Sequence, residues 1–174
     1  MYLNTARIPW TSLRGAVAAD DTTQASLGFD FGDWPSTGVL SLSKAPLADA
    51  NGLAIAFHGT DAADETANYK LYGRARNNGP IQLLLEGVVT LGSQVCTTDP
   101  IDNSTAISGG LWADTISITG GIFNDSDIYT ILDSGNNRIC MVKFDQQWIE
   151  DLRLEIDIPA SGQVASIYGI ITGY

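Results

Sequence analysis

A chain of 174 residues, 44% of them hydrophobic, suits a single domain and excludes a disordered tail. Nine basic residues against twenty acidic ones give a net charge of -11, which repels nucleic-acid phosphates and anionic lipid headgroups alike. No apolar run approaches the roughly 18 residues of a membrane span. Residues 1–15 carry Arg7, Pro9, Trp10 and Arg14 where a secretory leader needs an unbroken apolar stretch, so export by that route is not expected.

Taken in order, residues 1–25 hold apolar anchors (Tyr2, Leu3, Ile8, Trp10, Leu13) without sustained alternation, followed by a small, polar stretch. Such a segment reads as an extended arm that packs on its own domain or on a neighbour. From there the dominant period is two, the mark of strands with one buried face. Short alternating runs appear at Leu27-Phe29-Phe31 and Leu53-Ile55-Phe57, and Lys44 to Ala50 fits one helical turn. Residues 69–76 read as a strand with Tyr69 and Leu71 on one face and Lys70, Tyr72, Arg74 and Arg76 on the other. Asn77-Asn78-Gly79-Pro80 then supplies a hairpin turn, Asn-Gly being the strongest short-range signal for one.

The next strand, from Ile81, places Ile81, Leu83, Leu85, Val89 and Leu91 on one face, interrupted by Gly87. Gln82, Leu84, Glu86, Val88 and Thr90 lie on the other face, which predicts cover on both sides. Gln94 to Gly110, rich in Thr, Ser, Asp and Gly, reads as a long loop. Further runs occur at Ile116-Ile118, Tyr129 to Leu132, Cys140-Val142-Phe144 and Ile167-Gly169-Ile171, with a turn at residues 133–137. Gln146 to Leu152 fits a helical turn; Leu152, Leu154, Ile156 and Ile158 form a half-buried strand that Pro159 ends, and Ala160-Ser161-Gly162 separates it from the last strand. About eight to ten short strands joined by tight turns predict an all-β antiparallel sandwich or barrel. The organisation expected is an arm at 1–25 and one β domain at 26–174.

Few side chains suggest chemistry. His58 is the single histidine, and with Asp61 it would need a nucleophilic serine, yet no Gly-x-Ser-x-Gly elbow presents one; a strand-end histidine facing a turn is the expectation. One histidine and two distant cysteines, Cys96 and Cys140, offer no closely spaced zinc pair, and both thiols are expected reduced. Glu86 is the carboxylate of interest: a glycosidase needs a pair of acids across a cleft, whereas an ion pair with Lys70, Arg74 or Arg76 is the favoured reading. Asp125-Ser126-Asp127 and the residues from Asp61 to Glu65 carry oxygen ligands without the calcium-loop spacing. Trp10, Trp34, Trp112, Trp148 and Tyr174 would serve a carbohydrate-binding surface if exposed, but buried or interface tryptophan is more common. Catalytic residues, cofactor and metal are therefore all expected to be absent.

Tyr69-Lys70-Leu71-Tyr72-Gly73, Asn78-Gly79-Pro80 and Thr90-Leu91-Gly92 form a recognisable series with Trp112-Ala113-Asp114-Thr115-Ile116, Asp133 to Ile139 and the stretch Ala165 to Tyr174. Over residues 65 to 174 this series resembles small virion proteins of tailed bacteriophages. The resemblance implies a β-sandwich, jelly-roll-like, closed by a last strand near the end of the chain. It also implies a non-enzymatic capsid decoration or cement protein that binds the outer capsid surface and stabilises the head. The partners would be the major capsid protein and the chain's own copies in a homotrimer, with no nucleic acid and no membrane. Its location would be the capsid surface of the virion after synthesis in the host cytoplasm. Candidate contacts are Tyr2, Ile8 and Trp10 on the arm and the cations Lys70, Arg74 and Arg76. The alternative expectation is a carbohydrate-binding or adsorption domain of a phage fibre or tail.

Overall fold

The structure, a computed structural model, describes residues 11–12, 24–25, 40–41, 52–59, 63–77, 79–96, 110–124, 126–132, 138–145, 148–157 and 167–173. These residues form eleven strands. Three are two-residue pairings: β1 (Thr11–Ser12), β2 (Gln24–Ala25) and β3 (Leu40–Ser41). The others are β4 (Gly52–Gly59), β5 (Thr66–Ala75), β6 (Ile81–Cys96), β7 (Gly110–Ile116), β8 (Asp127–Leu132), β9 (Arg138–Asp145), β10 (Ile149–Asp157) and β11 (Ile167–Gly173). Every pairing is antiparallel, so the all-β expectation holds.

Strands β10, β5, β6 and β7 lie side by side, and β7 joins the end of β4 through His58 opposite Trp112. The same edge of β4 pairs its first half with β9, from Gly52 opposite Asp145 to Ala56 opposite Met141, so the sheet forks there. Strand β8 follows β9, and β11 runs along the other edge of β4. All eight residues of β4 are buried, which its short Leu53-Ile55-Phe57 alternation does not suggest; Ala54 and Ala56 make the second covered face a close one.

Strands far apart in this order meet through their side chains. The Phe57 ring of β4 lies 5.2 Å from the Tyr69 ring of β5. A Cβ on Gly169 of β11 would run into Leu154 of β10. The curled sheet thus encloses one apolar cluster, including Leu53, Ile55, Leu71, Leu85, Val142, Leu152 and Ile171, all 0% exposed. Burying each such side chain contributes about 1.5–3 kcal/mol.

Several sequence expectations need correction. In β6 the alternation changes phase at a bulge: Leu71 pairs Leu85 but Tyr72 pairs Leu83, so Leu84 is the extra residue. Leu84 is therefore buried beside Leu85, while Ile81 and Leu83 are only half-buried. Strand β6 continues to Cys96, three residues into the expected loop, and residues 97–109 lie outside the described residues. Residues 149–152 are the start of β10, not a helical turn, because Ile149 and Leu152 are needed in the core. The Asn-Gly hairpin is present: Asn77 has φ of 61° and the Gly79 amide donates to the Ala75 carbonyl. Within 1–25, Thr11–Ser12 pairs with β11 and Gln24–Ala25 with β10; the remainder, with Leu27-Phe29-Phe31 and residues 44–50, lies outside the described residues.

After β7 the chain continues along the edge of β6 as a strap, residues 117–123. Ser117 and Thr119 donate their amides to the Val88 and Glu86 carbonyls, and Ile122 and Phe123 to those of Leu83 and Leu84. The Tyr69 hydroxyl donates to the Ser117 carbonyl at 2.9 Å, 48 positions away in sequence. Gly87 makes this approach possible, since any Cβ there would collide with that carbonyl. Gly87→Ala should therefore cost about 1–3 kcal/mol by overpacking, and Tyr69→Phe about 1 kcal/mol for the lost hydrogen bond. Urea midpoints with an unchanged slope check both values.

Burial raises the Tyr69 pKa above its ordinary 10.0, with Cys140 adding to the rise. Burial likewise raises the free Cys140 thiol above 9.0, although hydrogen bonds with Ile116 and Thr130 oppose it. The unfolded chain then loses these protons first, so stability is level below the unfolded values and falls as pH rises through them. The urea midpoint at about pH 10.5 should lie below that at about pH 8, and Tyr69→Phe with Cys140→Ala should shrink the difference.

Candidate functional site

Pairing across β10, β5 and β6 sets the outward side chains into rows. Lys70 stands opposite Glu155 on one side and Glu86 on the other. One step along, Asn68 stands between Asp157 and Val88. Alternation forces this: the residues between buried Ala67, Tyr69 and Leu71, and between buried Leu154 and Ile156, must point away from the core. The strap closes the far side with Thr119, whose hydroxyl reaches the Glu86 carbonyl at 3.3 Å. A cleft of about 350 Å³ results, lined by these groups together with Tyr69 and Gly87.

Charge in the cleft is mixed. Lys70 Nζ and Glu86 Oε2 are 3.9 Å apart, with side chains 51% and 34% exposed, a loose pair of small energetic value. Arg153 binds Glu155 more closely, at 2.8 Å. Tyr72 shares the outward face, one step from Lys70, and its hydroxyl pKa is raised by burial and by the Glu155 and Glu86 carboxylates, against Lys70 and Arg153. The phenol consequently stays protonated at neutral pH. Gly120 matters locally: a Cβ there would come within 2.5 Å of Glu86 Oε1, so its absence leaves room for the carboxylate.

The favoured reading of Glu86 is met by one of its three expected partners. Lys70 makes the pair; Arg74 stands opposite Ile81 and Asp151, and Arg76 sits in the turn after β5. Tyr2, Ile8 and Trp10 lie outside the described residues, as do Asp61, Trp34 and Tyr174. His58 sits at the end of β4, as expected of a strand-end histidine, and is 1% exposed with its ring edge-on to Trp112 at 5.4 Å; the residues after Gly59, 60–62, lie outside the described residues. Trp112 and Trp148 are half-buried, the latter against Phe123, so both rings are engaged in ring contacts within the fold. Asp127 accepts the Tyr129 hydroxyl at 3.0 Å, and among the described residues no three His, Cys, Asp or Glu side chains gather to hold a metal ion.

Glu155, Asp157, Asn68 and Thr119 had no signal as site residues. The alternation in 152–158 shows that Glu155 and Asp157 face outward, but which strand lies beside them is a long-range outcome. No protein-family model matches the chain, and no curated protein matches it.

The buried position of His58 has a direct chemical consequence. Diethyl pyrocarbonate should leave this single histidine unmodified in the native protein and modify it fully in urea. Rapid modification of the folded protein would contradict the packing on Trp112.

Proposed function

We propose that this chain is a non-enzymatic structural protein of a tailed-bacteriophage particle, a jelly-roll-like β-sandwich that decorates and cements the outer surface of the head. The observation that carries the reading is where the resembling stretches fall. Tyr69 to Gly73, Thr90 to Gly92, Trp112 to Ile116 and Ile167 to Gly173 belong to β5, β6, β7 and β11 of one continuous sheet. Strand β11 lies between β1 and β4 with Ile167 and Ile171 buried, which supports a last strand built into the sheet.

Cementing asks for a stiff body and a repeated contact. Stiffness follows from the single core and from long pairings such as β5 with β6 and β10. On a lattice, many modest contacts act together, so each copy need not bind tightly alone. The partners in this reading are the major capsid protein and the chain's own copies as a homotrimer. Contacts in this reading are Tyr2, Ile8 and Trp10 and the cations Lys70, Arg74 and Arg76, of which Lys70 and Arg76 are exposed. The net charge of -11 keeps the protein soluble before assembly and away from packaged DNA.

Mixing the purified protein with empty capsids and sedimenting them tests the reading. Stoichiometric co-sedimentation is expected, with weaker binding for Lys70→Glu/Arg76→Glu and greater heat resistance of decorated particles. Absence from the pellet, or equal heat resistance with and without bound protein, would overturn it.

A further inference from the structure

We propose that the cleft framed by β10, β5, β6 and the strap is a binding site for a neutral polyhydroxylated ligand, a sugar ring of a glycan. The inference rests on the cleft's own lining and does not require capsid binding, although Lys70 belongs to both proposals. Its volume, about 350 Å³, falls at the small end of ligand sites and suits one ring.

The arrangement of charge selects the class. Across the sheet the row runs acceptor, donor, acceptor: Glu155, Lys70, Glu86. The next row places the Asp157 carboxylate beside the Asn68 amide, and Thr119 adds a hydroxyl from the strap. An anion entering here meets three carboxylates; a cation meets the Lys70 ammonium set between two of them, with Arg153 bound to Glu155. A hydroxyl both donates and accepts, so a ring carrying several of them satisfies alternating groups of this kind without introducing a charge. Val88 offers a small apolar contact, and Tyr69 is the one aromatic residue of the lining.

Preorganisation supports the same conclusion. Four of the polar groups stand on central stretches of paired strands, and the strap that carries Thr119 is held to β6 by backbone hydrogen bonds. Gly120 lets Glu86 lie against the strap wall. A ligand that enters needs little rearrangement of these groups, which removes an ordering cost from binding.

Titration of the isotope-labelled full chain with methyl glycosides of glucose, galactose, mannose, rhamnose and N-acetylglucosamine tests the inference by amide chemical shifts. Inorganic phosphate and spermidine serve as anionic and cationic comparisons. At least one glycoside should give saturable shifts centred on Asn68, Lys70, Gly87 and Thr119. Glu155→Gln and Thr119→Val should each weaken that binding by about tenfold, the loss of roughly one charged or well-placed hydrogen bond, while leaving the remaining spectrum in place. No saturable shift at these amides with any glycoside, unchanged affinity in both variants, or saturation there by phosphate or spermidine in place of sugar would overturn it.

Discussion

Tyr69 ties together parts of the chain that local pairing leaves separate. Its ring is fully buried against Phe57, which joins β5 to β4 across the core, and its hydroxyl is fixed on the Ser117 carbonyl. A buried phenol without an acceptor would carry a desolvation cost of about 1–3 kcal/mol, so the strap is held where the hydroxyl needs it. Gly87 is the permissive element, because only a residue without a Cβ admits the Ser117 carbonyl at that point. Core closure and strap position are therefore one constraint satisfied once.

The strap in turn explains the long strand β6. One edge of β6 is paired by β5 and the other by β7 and then by residues 117–123, so its backbone groups are satisfied by partners of different kinds. The bulge at Leu84 reconciles two demands. It turns both Leu84 and Leu85 into the core and leaves Glu86 and Val88 outward, beside Lys70 and Asn68. Gly73 accommodates the extra leucine: a Cβ there would lie 2.7 Å from a Leu84 methyl. Packing in the interior has thus set which groups face the cleft.

The outer face also shows why acidity alone says little about chemistry. Glu86 and Glu155 each have a cation close by, and Lys70 is shared in register between them. Charges held in this alternating way set hydrogen-bond donors and acceptors side by side across the sheet. A rigid β body with a polar, mixed-charge face is suited to recognition, whether of a lattice or of a glycan.

Much of the strand layout was legible because a strand's side-chain period is a local property. Cys140-Val142-Phe144, Leu152-Leu154-Ile156 and Tyr69-Leu71 all bury the face that their alternation marks, and the Asn77 turn lies where the Asn-Gly sequence puts it. The same periodicity failed at Leu84, where a bulge shifts the phase, and at Ile149, where the core claims residues that look helical. Sequence by itself determined that the chain is β-rich and acidic and which side of most strands is apolar. Only the tertiary structure decided that β10 lies beside β5, that Glu155 and Glu86 flank Lys70, and that Thr119 closes the cleft. Those choices join residues far apart along the chain, and they follow from how whole faces pack and which backbone edges remain to be paired, quantities that no short window of sequence contains.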